Sequence, residues 1–235
     1  MNIALVLSGG TGTRLGGEIP KQYRVVGGKP IISYCLETFI KQEEIDAIQI
    51  VADLTWQDFV AENSNMSIGD AITWKKKLKG FSLPGENRQL SIWNGLQDIC
   101  NYAGESDVVL IHDAARPLLS EKLILECLNG MEGYDGVLPV LPMKDTLYLS
   151  ENGEKISGLL NRSQIFAGQA PEAFRLGKYY RANKALFPEQ MKQINGSTEP
   201  AIIAGMKIRM IPGDERNFKI TTKDDLMRFE EIVAK

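Results

Sequence analysis

Near the start of the chain, glycines and cations gather in one place. Leu7 to Gly16, LSGGTGTRLG, holds four glycines and Arg14, directly behind the apolar run Ile3-Ala4-Leu5-Val6. Lys21 follows seven residues after Arg14, in Pro20-Lys21-Gln22-Tyr23. A glycine-rich loop behind a strand offers backbone N–H groups to an anion. Two cations beside those donors suit a polyphosphate, which brings several negative charges together. Two standard phosphate loops are excluded. No GK[ST] tripeptide occurs, as a P-loop requires. Gly10, Gly12 and Gly16 give G-x-G-x-x-x-G, one residue too long for the dinucleotide fingerprint. That fingerprint also needs an acidic residue about 20 positions on, and Asp53 comes too late.

Four further segments complete a pattern: HDAARP (His112 to Pro117), KDT (Lys144 to Thr146), NRS (Asn161 to Ser163) and NFKIT (Asn217 to Thr221). With GGTGTRLG and PKQY, HDAARP, KDT and NFKIT resemble, in order and spacing, the cytidylyltransferases that load methylerythritol phosphate or ribitol 5-phosphate onto CMP. The resemblance runs from Asn2 to Glu231. It implies a Rossmann-like, three-layer αβα fold of the nucleotide-diphospho-sugar transferase type, with a mostly parallel, doubly wound sheet and a protruding β-arm. It also implies CTP, Mg²⁺ and a homodimer.

Carried over position by position, the resemblance makes Arg14, Lys21 and Lys219 the catalytic cations around the triphosphate. Ser8, Gly9, Gly10, Gly12 and Thr13 would line the CTP loop. Gly85, Glu86, Arg88 and Ser91, in Pro84 to Ser91, match the base-recognition segment. Asp113 and Ala114 would face the ribose and Mg²⁺, with capping of a following helix the structural alternative for Asp113. Thr146, Arg162 and Arg116 would hold the phosphate of the second substrate, the arm reaching into the neighbouring subunit's site. An arginine suits that task because its planar fork matches two phosphate oxygens.

The implied chemistry is in-line attack by one phosphate oxygen on the α-phosphorus of CTP, with pyrophosphate leaving. A phosphate monoester, with second pKa near 6, is already mostly ionised at neutral pH, so no general base is required. The obstacle is negative charge, which calls for positioned cations and Mg²⁺. Three positions depart from the family's usual pattern. Ala170-Pro171-Glu172 stands where T-P-Q is common, Glu86 where Asp is usual, and Ser197-Thr198-Glu199-Pro200 where T-D-[ED] is expected. HDAARP and KDT favour methylerythritol 4-phosphate as acceptor, in isoprenoid precursor synthesis. NRS and the GQ of Gly168-Gln169 keep ribitol 5-phosphate as the close second. A nicotinamide-dependent Rossmann oxidoreductase and a non-catalytic nucleotide sensor are the readings from other classes. The glycine spacing counts against the first and the three cations against the second.

The elements that must position these groups follow from periodicity. Apolar runs at residues 3–7, 45–52, 107–112, 136–142 and 207–213 read as strands, the first buried and 107–112 covered on both faces. Helices are expected from Pro30, over residues 89–102, after the cap Ser120, and from Thr222 to Val233. Asn152-Gly153 marks a hairpin in an arm at about 143–170. The whole, residues 1–235, reads as a single nucleotidyltransferase domain with that arm for dimerisation and substrate.

Composition bounds the rest. With 43% hydrophobic residues, 24% charged residues and a net charge of −3, the chain reads as globular and without a nucleic-acid surface. No apolar run approaches the roughly 20 residues of a membrane span. No Lys or Arg precedes Arg14, so no signal peptide is expected and the cytoplasm is the expected location. The three cysteines, Cys35, Cys100 and Cys127, read as buried small hydrophobes, and a single histidine makes structural zinc improbable. Lys75, Lys76, Lys77 and Lys79 read as a solvated face, and Trp56, Trp74 and Trp93 as packing residues.

Overall fold

The computed structural model describes residues 1–10, 16, 19–62 and 68–234. Gly12, Thr13 and Arg14 therefore lie outside the described residues. Strand β1 (Asn2–Leu7) leads to a 3-10 turn at Lys21–Tyr23 and a hairpin of β2 (Val25–Val26) and β3 (Lys29–Pro30). Pro30 then opens α1 (Ile31–Lys41), where its fixed φ and missing N–H cost nothing. Next come β4 (Ala47–Val51), α2 (Leu54–Glu62), α3 (Ile68–Lys77) and β5 (Leu78–Ser82). Helix α4 (Arg88–Ile99), β6 (Val108–Asp113) and α5 (Glu121–Asn129) complete this half. The second half runs β7 (Gly136–Pro142), β8 (Tyr148–Leu149), β9 (Gly158–Leu159), β10 (Phe166–Gly168) and β11 (Glu172–Arg175). It ends with α6 (Leu176–Leu186), α7 (Glu199–Ile203), β12 (Ile208–Pro212) and α8 (Lys223–Val233).

The main sheet has the order β10-β7-β11-β6-β1-β4-β5, with β12 also paired to β7. Its central strands β6, β1, β4 and β5 are parallel, while β11 runs antiparallel to both β6 and β7. Helices cover both faces, which explains the unbroken apolar run in β1. Ala4 and Val6 pack with Leu36 and Phe39 of α1 and Ile124 of α5, whereas Ile3 and Leu5 pack with Ile92 and Leu96 of α4 and Tyr179 of α6. Each such fully buried Val, Leu, Ile or Phe side chain contributes roughly 1.5–3 kcal/mol.

The caps form as expected. Ser120 accepts from the Leu123 N–H, and Thr222 forms a reciprocal capping box with Asp225. Around Asn152-Gly153 the chain does reverse, but β8 and β9 close a longer loop than a two-residue turn, and among the described residues they pair with no other strand. Two readings are corrected. Lys77 is 9% exposed, and its ammonium donates to the carbonyls of Ile40 (2.8 Å) and Gln42 (2.7 Å). It plugs the C-terminal end of α1, where carbonyls lack partners and the helix dipole favours a cation. Cys100 is exposed, whereas Cys35 and Cys127 are buried. Among the described residues no helix is long and apolar enough to cross a membrane.

Candidate active site

At the carboxyl ends of β1 and β6, where doubly wound sheets place ligands, lies a cavity of about 440 Å³. Gly9, Gly10, Lys21, Gly85, Glu86, Arg88, Ser91, Asp113 and Lys219 line it, as do Gln22, Asn87 and Ala115. Loops far apart in sequence thus converge on one space. A second cavity of about 370 Å³, between α1 and the segment 117–121, holds none of these residues.

The glycine loop is shaped by what holds it. A Cβ on Gly9 would stand 2.4 Å from the Cβ of Pro84, so only glycine lets the two loops touch, whereas beside Gly10 the space is open. The Gln22 amide donates to the carbonyls of both Ser8 and Gly10 at 2.7 Å. The Tyr23 hydroxyl donates to the Ser8 carbonyl at 2.9 Å and accepts from the Ser8 hydroxyl at 2.7 Å. Ser8 is consequently buried with its side chain committed. Trp56 stacks on the Tyr23 ring, with centroids 4.4 Å apart. The second loop is fixed similarly. Asn87 caps α4 by accepting from Leu90 N–H, and the Ser91 hydroxyl accepts from the Gly85 N–H at 3.0 Å.

Asp113 is the electrostatic hub. Arg88 Nε and Lys219 Nζ each approach its carboxylate at 3.0 Å, and Arg116 Nε at 3.6 Å. Burial works against its charge, but Arg88, Lys219 and Arg116 together hold the carboxyl well below the usual carboxylate range. No helix follows directly, so capping is not its task. Lys219 is set in place by its own segment: the Ile220 N–H donates to the Ala115 carbonyl at 2.8 Å, and Arg116 Nη1 to the Asn217 carbonyl at 2.7 Å. Asn217 in turn donates to the Ala170 carbonyl at 2.6 Å.

Behind Arg88 sits Glu172, 8% exposed. Its carboxylate accepts from the hydroxyls of Ser197 and Thr198, the latter at 2.7 Å, while Arg88 Nη1 donates to Ser197 Oγ at 2.6 Å. Burial pushes the Glu172 carboxyl up, opposed by Arg88 and the two hydroxyls. The segments Ala170–Glu172 and Ser197–Pro200, both unusual for the resembled family, are thus in contact.

Some expected residues stand elsewhere. Ala114 is buried and Ala115 lines the cavity instead. Arg116 braces the NFKIT segment rather than lining the cavity. Thr146 and Arg162 lie exposed on the arm, Arg162 donating to the Lys144 carbonyl at 2.6 Å, and neither lines the cavity. Sequence gives Gln22, Tyr23 and Asn217 no site role, and it marks Glu172 only as a departure from T-P-Q. PKQY and NFKIT flagged the neighbourhood of the first three, but only the tertiary contacts reveal what they hold. The lone histidine is not in the chemistry: His112 is fully buried, lies edge-on to Phe39, and is held by burial at a pKa of about 4.

Among the described residues no group of three or more His, Cys, Asp or Glu is arranged to hold a metal. The cavity instead presents cations, Lys21, Arg88 and Lys219, beside backbone donors and two carboxylates, Glu86 and Asp113. Such a set can orient and neutralise polyanions.

The family model described as 2-C-methyl-D-erythritol 4-phosphate cytidylyltransferase matches residues 2–235. A relative of that name from Rubrobacter xylanophilus is 36% identical over 238 residues, covering 99% of this chain and 94% of the relative. A ribitol-5-phosphate cytidylyltransferase from Streptococcus agalactiae serotype III is 30% identical over 239 residues, covering 99% of this chain and 95% of the relative. The crystal structure of 4-diphosphocytidyl-2C-methyl-D-erythritol synthase from Anaerococcus prevotii shares the fold, with a TM-score of 0.80, 22% identity, and coverage of 100% of this chain and 96% of that one. The chain belongs to the 2-C-methyl-D-erythritol 4-phosphate cytidylyltransferase family, a family of nucleotidyltransferases.

Proposed function

We propose that this chain transfers CMP from CTP to the phosphate of 2-C-methyl-D-erythritol 4-phosphate, releasing pyrophosphate. One observation carries the reading: Lys21 and Lys219, from opposite ends of the sequence, line one cavity with Gly9 and Gly10 at the carboxyl end of the parallel strands. The family match and the names of relatives such as that from Rubrobacter xylanophilus support the same acceptor. Ribitol 5-phosphate is the second reading, favoured by the Streptococcus agalactiae relative.

In this reading Gly9 and Gly10 present backbone to the triphosphate, and the loop 84–87 with the first turn of α4 receives the base. Carbonyls in that loop accept from the cytosine amino group, which uracil lacks. The acceptor phosphate, already ionised, attacks the α-phosphorus in line. Lys21 and Lys219 stabilise the charge that builds there, while Asp113 keeps Lys219 oriented between turnovers. Arg14, outside the described residues, has its place on the leaving pyrophosphate. Mg²⁺, which takes few protein ligands and several phosphate oxygens, fits a cavity where, among the described lining residues, Asp113 and Glu86 are the carboxylates. It would supply neutralisation of the triphosphate.

The acceptor's phosphate falls to Thr146 and Arg162 of a second copy, in a homodimer with exchanged arms. The arm's apolar side chains support this: Tyr148, Leu149, Leu159 and Phe166 are all exposed in the single chain. Three unpaired thiols agree with a cytoplasmic enzyme. The test is pyrophosphate release with CTP, Mg²⁺ and a polyol phosphate. Release is expected with methylerythritol 4-phosphate and not with UTP in place of CTP; no release with any polyol phosphate would refute the reading.

A further inference from the structure

Arg88 is the first residue of α4, and its guanidinium reaches three partners: Asp113 at 3.0 Å, Ser197 Oγ at 2.6 Å and Glu172 at 3.7 Å. Only Arg88 and Asp113 of these four residues line the cavity. Glu172 and Ser197 lie behind them, 8% and 2% exposed. Glu172 opens β11 opposite Ile111 of β6, two residues before Asp113, so the sheet register itself sets its carboxylate beside that hub. A second buried carboxylate next to Asp113 repels it and is costly to desolvate. It is tolerated because each oxygen accepts a hydroxyl proton, from Ser197 and from Thr198, and because its charge faces Arg88. Ser197 is itself anchored, its carbonyl accepting from the buried Tyr179 hydroxyl at 2.7 Å.

The consequence is mechanical. An arginine paired with Asp113 alone keeps torsional freedom and can swing into the cavity. With Nη1 tied to Ser197 and Nη2 facing Glu172, the guanidinium is fixed along the wall. The two places where the chain departs from T-P-Q and T-D-[ED] are the two halves of this grip. A carboxylate stands where an amide is common, and a Ser-Thr pair supplies the donors it needs.

We infer that Glu172, gripped by Ser197 and Thr198, is a positioning residue for Arg88 that sets the affinity for CTP rather than the rate of transfer. The inference rests on reading the cavity as the CTP site. Glu172→Gln, Ser197→Ala and the double variant test it. Each single change should raise the KM for CTP about tenfold, the equivalent of one charge-assisted hydrogen bond, with kcat held within about twofold. The double variant should be little worse than either single, because the grip acts as a unit. In ¹⁵N spectra of labelled arginine, the Arg88 Nη signals should be separate in the wild type and averaged by free rotation in both single variants. Unchanged KM and unchanged arginine signals in both single variants would overturn the inference. So would additive losses, or a rise confined to the KM of the polyol phosphate. Should Glu172→Gln fold poorly, Ser197→Ala carries the same test with the carboxylate in place. If the wild type neither binds CTP nor releases pyrophosphate, the nucleotide reading falls by itself; averaged Arg88 signals in the wild type would then still refute the positioning role.

Discussion

The cavity end of the sheet and the arm are built in opposite ways. At the cavity, Asp113 meets Arg88, Arg116 and Lys219, and Gln22, Tyr23, Asn217 and Glu172 brace the surrounding loops. On the arm, β8 and β9 pair with each other, Thr146 and Arg162 are exposed, and apolar side chains stand open. The first region is preorganised within one chain, where fixed dipoles and charges act at no reorganisation cost. The second has its residues on and beside a small two-stranded sheet that is separate from the main one, with its side chains open to solvent. Nucleotide and acceptor recognition should therefore respond differently to the same kind of damage.

Lys21→Ala should produce the largest effect, lowering kcat by about 10²–10³-fold, the scale of a lost charge stabiliser, while changing the Kd for CTP much less. Single-turnover kinetics beside calorimetry would check it. An equal loss confined to binding would reassign Lys21 to ground-state recognition.

Next in size is a pH effect at the cavity end. Buried His112 is neutral, with its pKa lowered from 6.5 to about 4, so between these values the unfolded chain binds the extra proton and stability rises with pH. Over that window acidification should remove about 3 kcal/mol, at 1.36 kcal/mol per unit. Urea unfolding at stepped pH measures it. Hydrogen exchange should show β6 losing protection while β8 and β9 change little; uniform loss would blur the contrast between the regions.

Arg162→Ala should have the smallest effect, raising the KM for the polyol phosphate about tenfold with CTP affinity nearly intact. A collapse of CTP affinity would place Arg162 with the cavity and erase the distinction.

Much of the cavity end was legible in sequence, because its backbone is dictated locally. Buried parallel strands read as unbroken apolar runs, Ser120 and Thr222 announce helix starts, and Lys21, Arg88, Asp113 and Lys219 sit in recognisable segments. What escaped depends on contacts between distant segments. Lys77 looks like one of four solvated lysines until α3 is seen packing against α1, whose last carbonyls it reaches. Glu172 looks like a lost amide until Ser197 is placed beside it, 25 residues away in sequence. Strand β11 itself, only four residues long and ending in arginine, has no periodicity to reveal it.

Loading of CMP onto methylerythritol 4-phosphate in the cavity can be tested directly. A competition decides it: equal amounts of methylerythritol 4-phosphate and ribitol 5-phosphate, limiting CTP and Mg²⁺ in one vessel, with the CDP-polyols resolved by mass. CDP-methylerythritol is expected as the dominant product. Dominant CDP-ribitol would contradict the acceptor, and consumption of CTP with neither product would contradict the transfer itself.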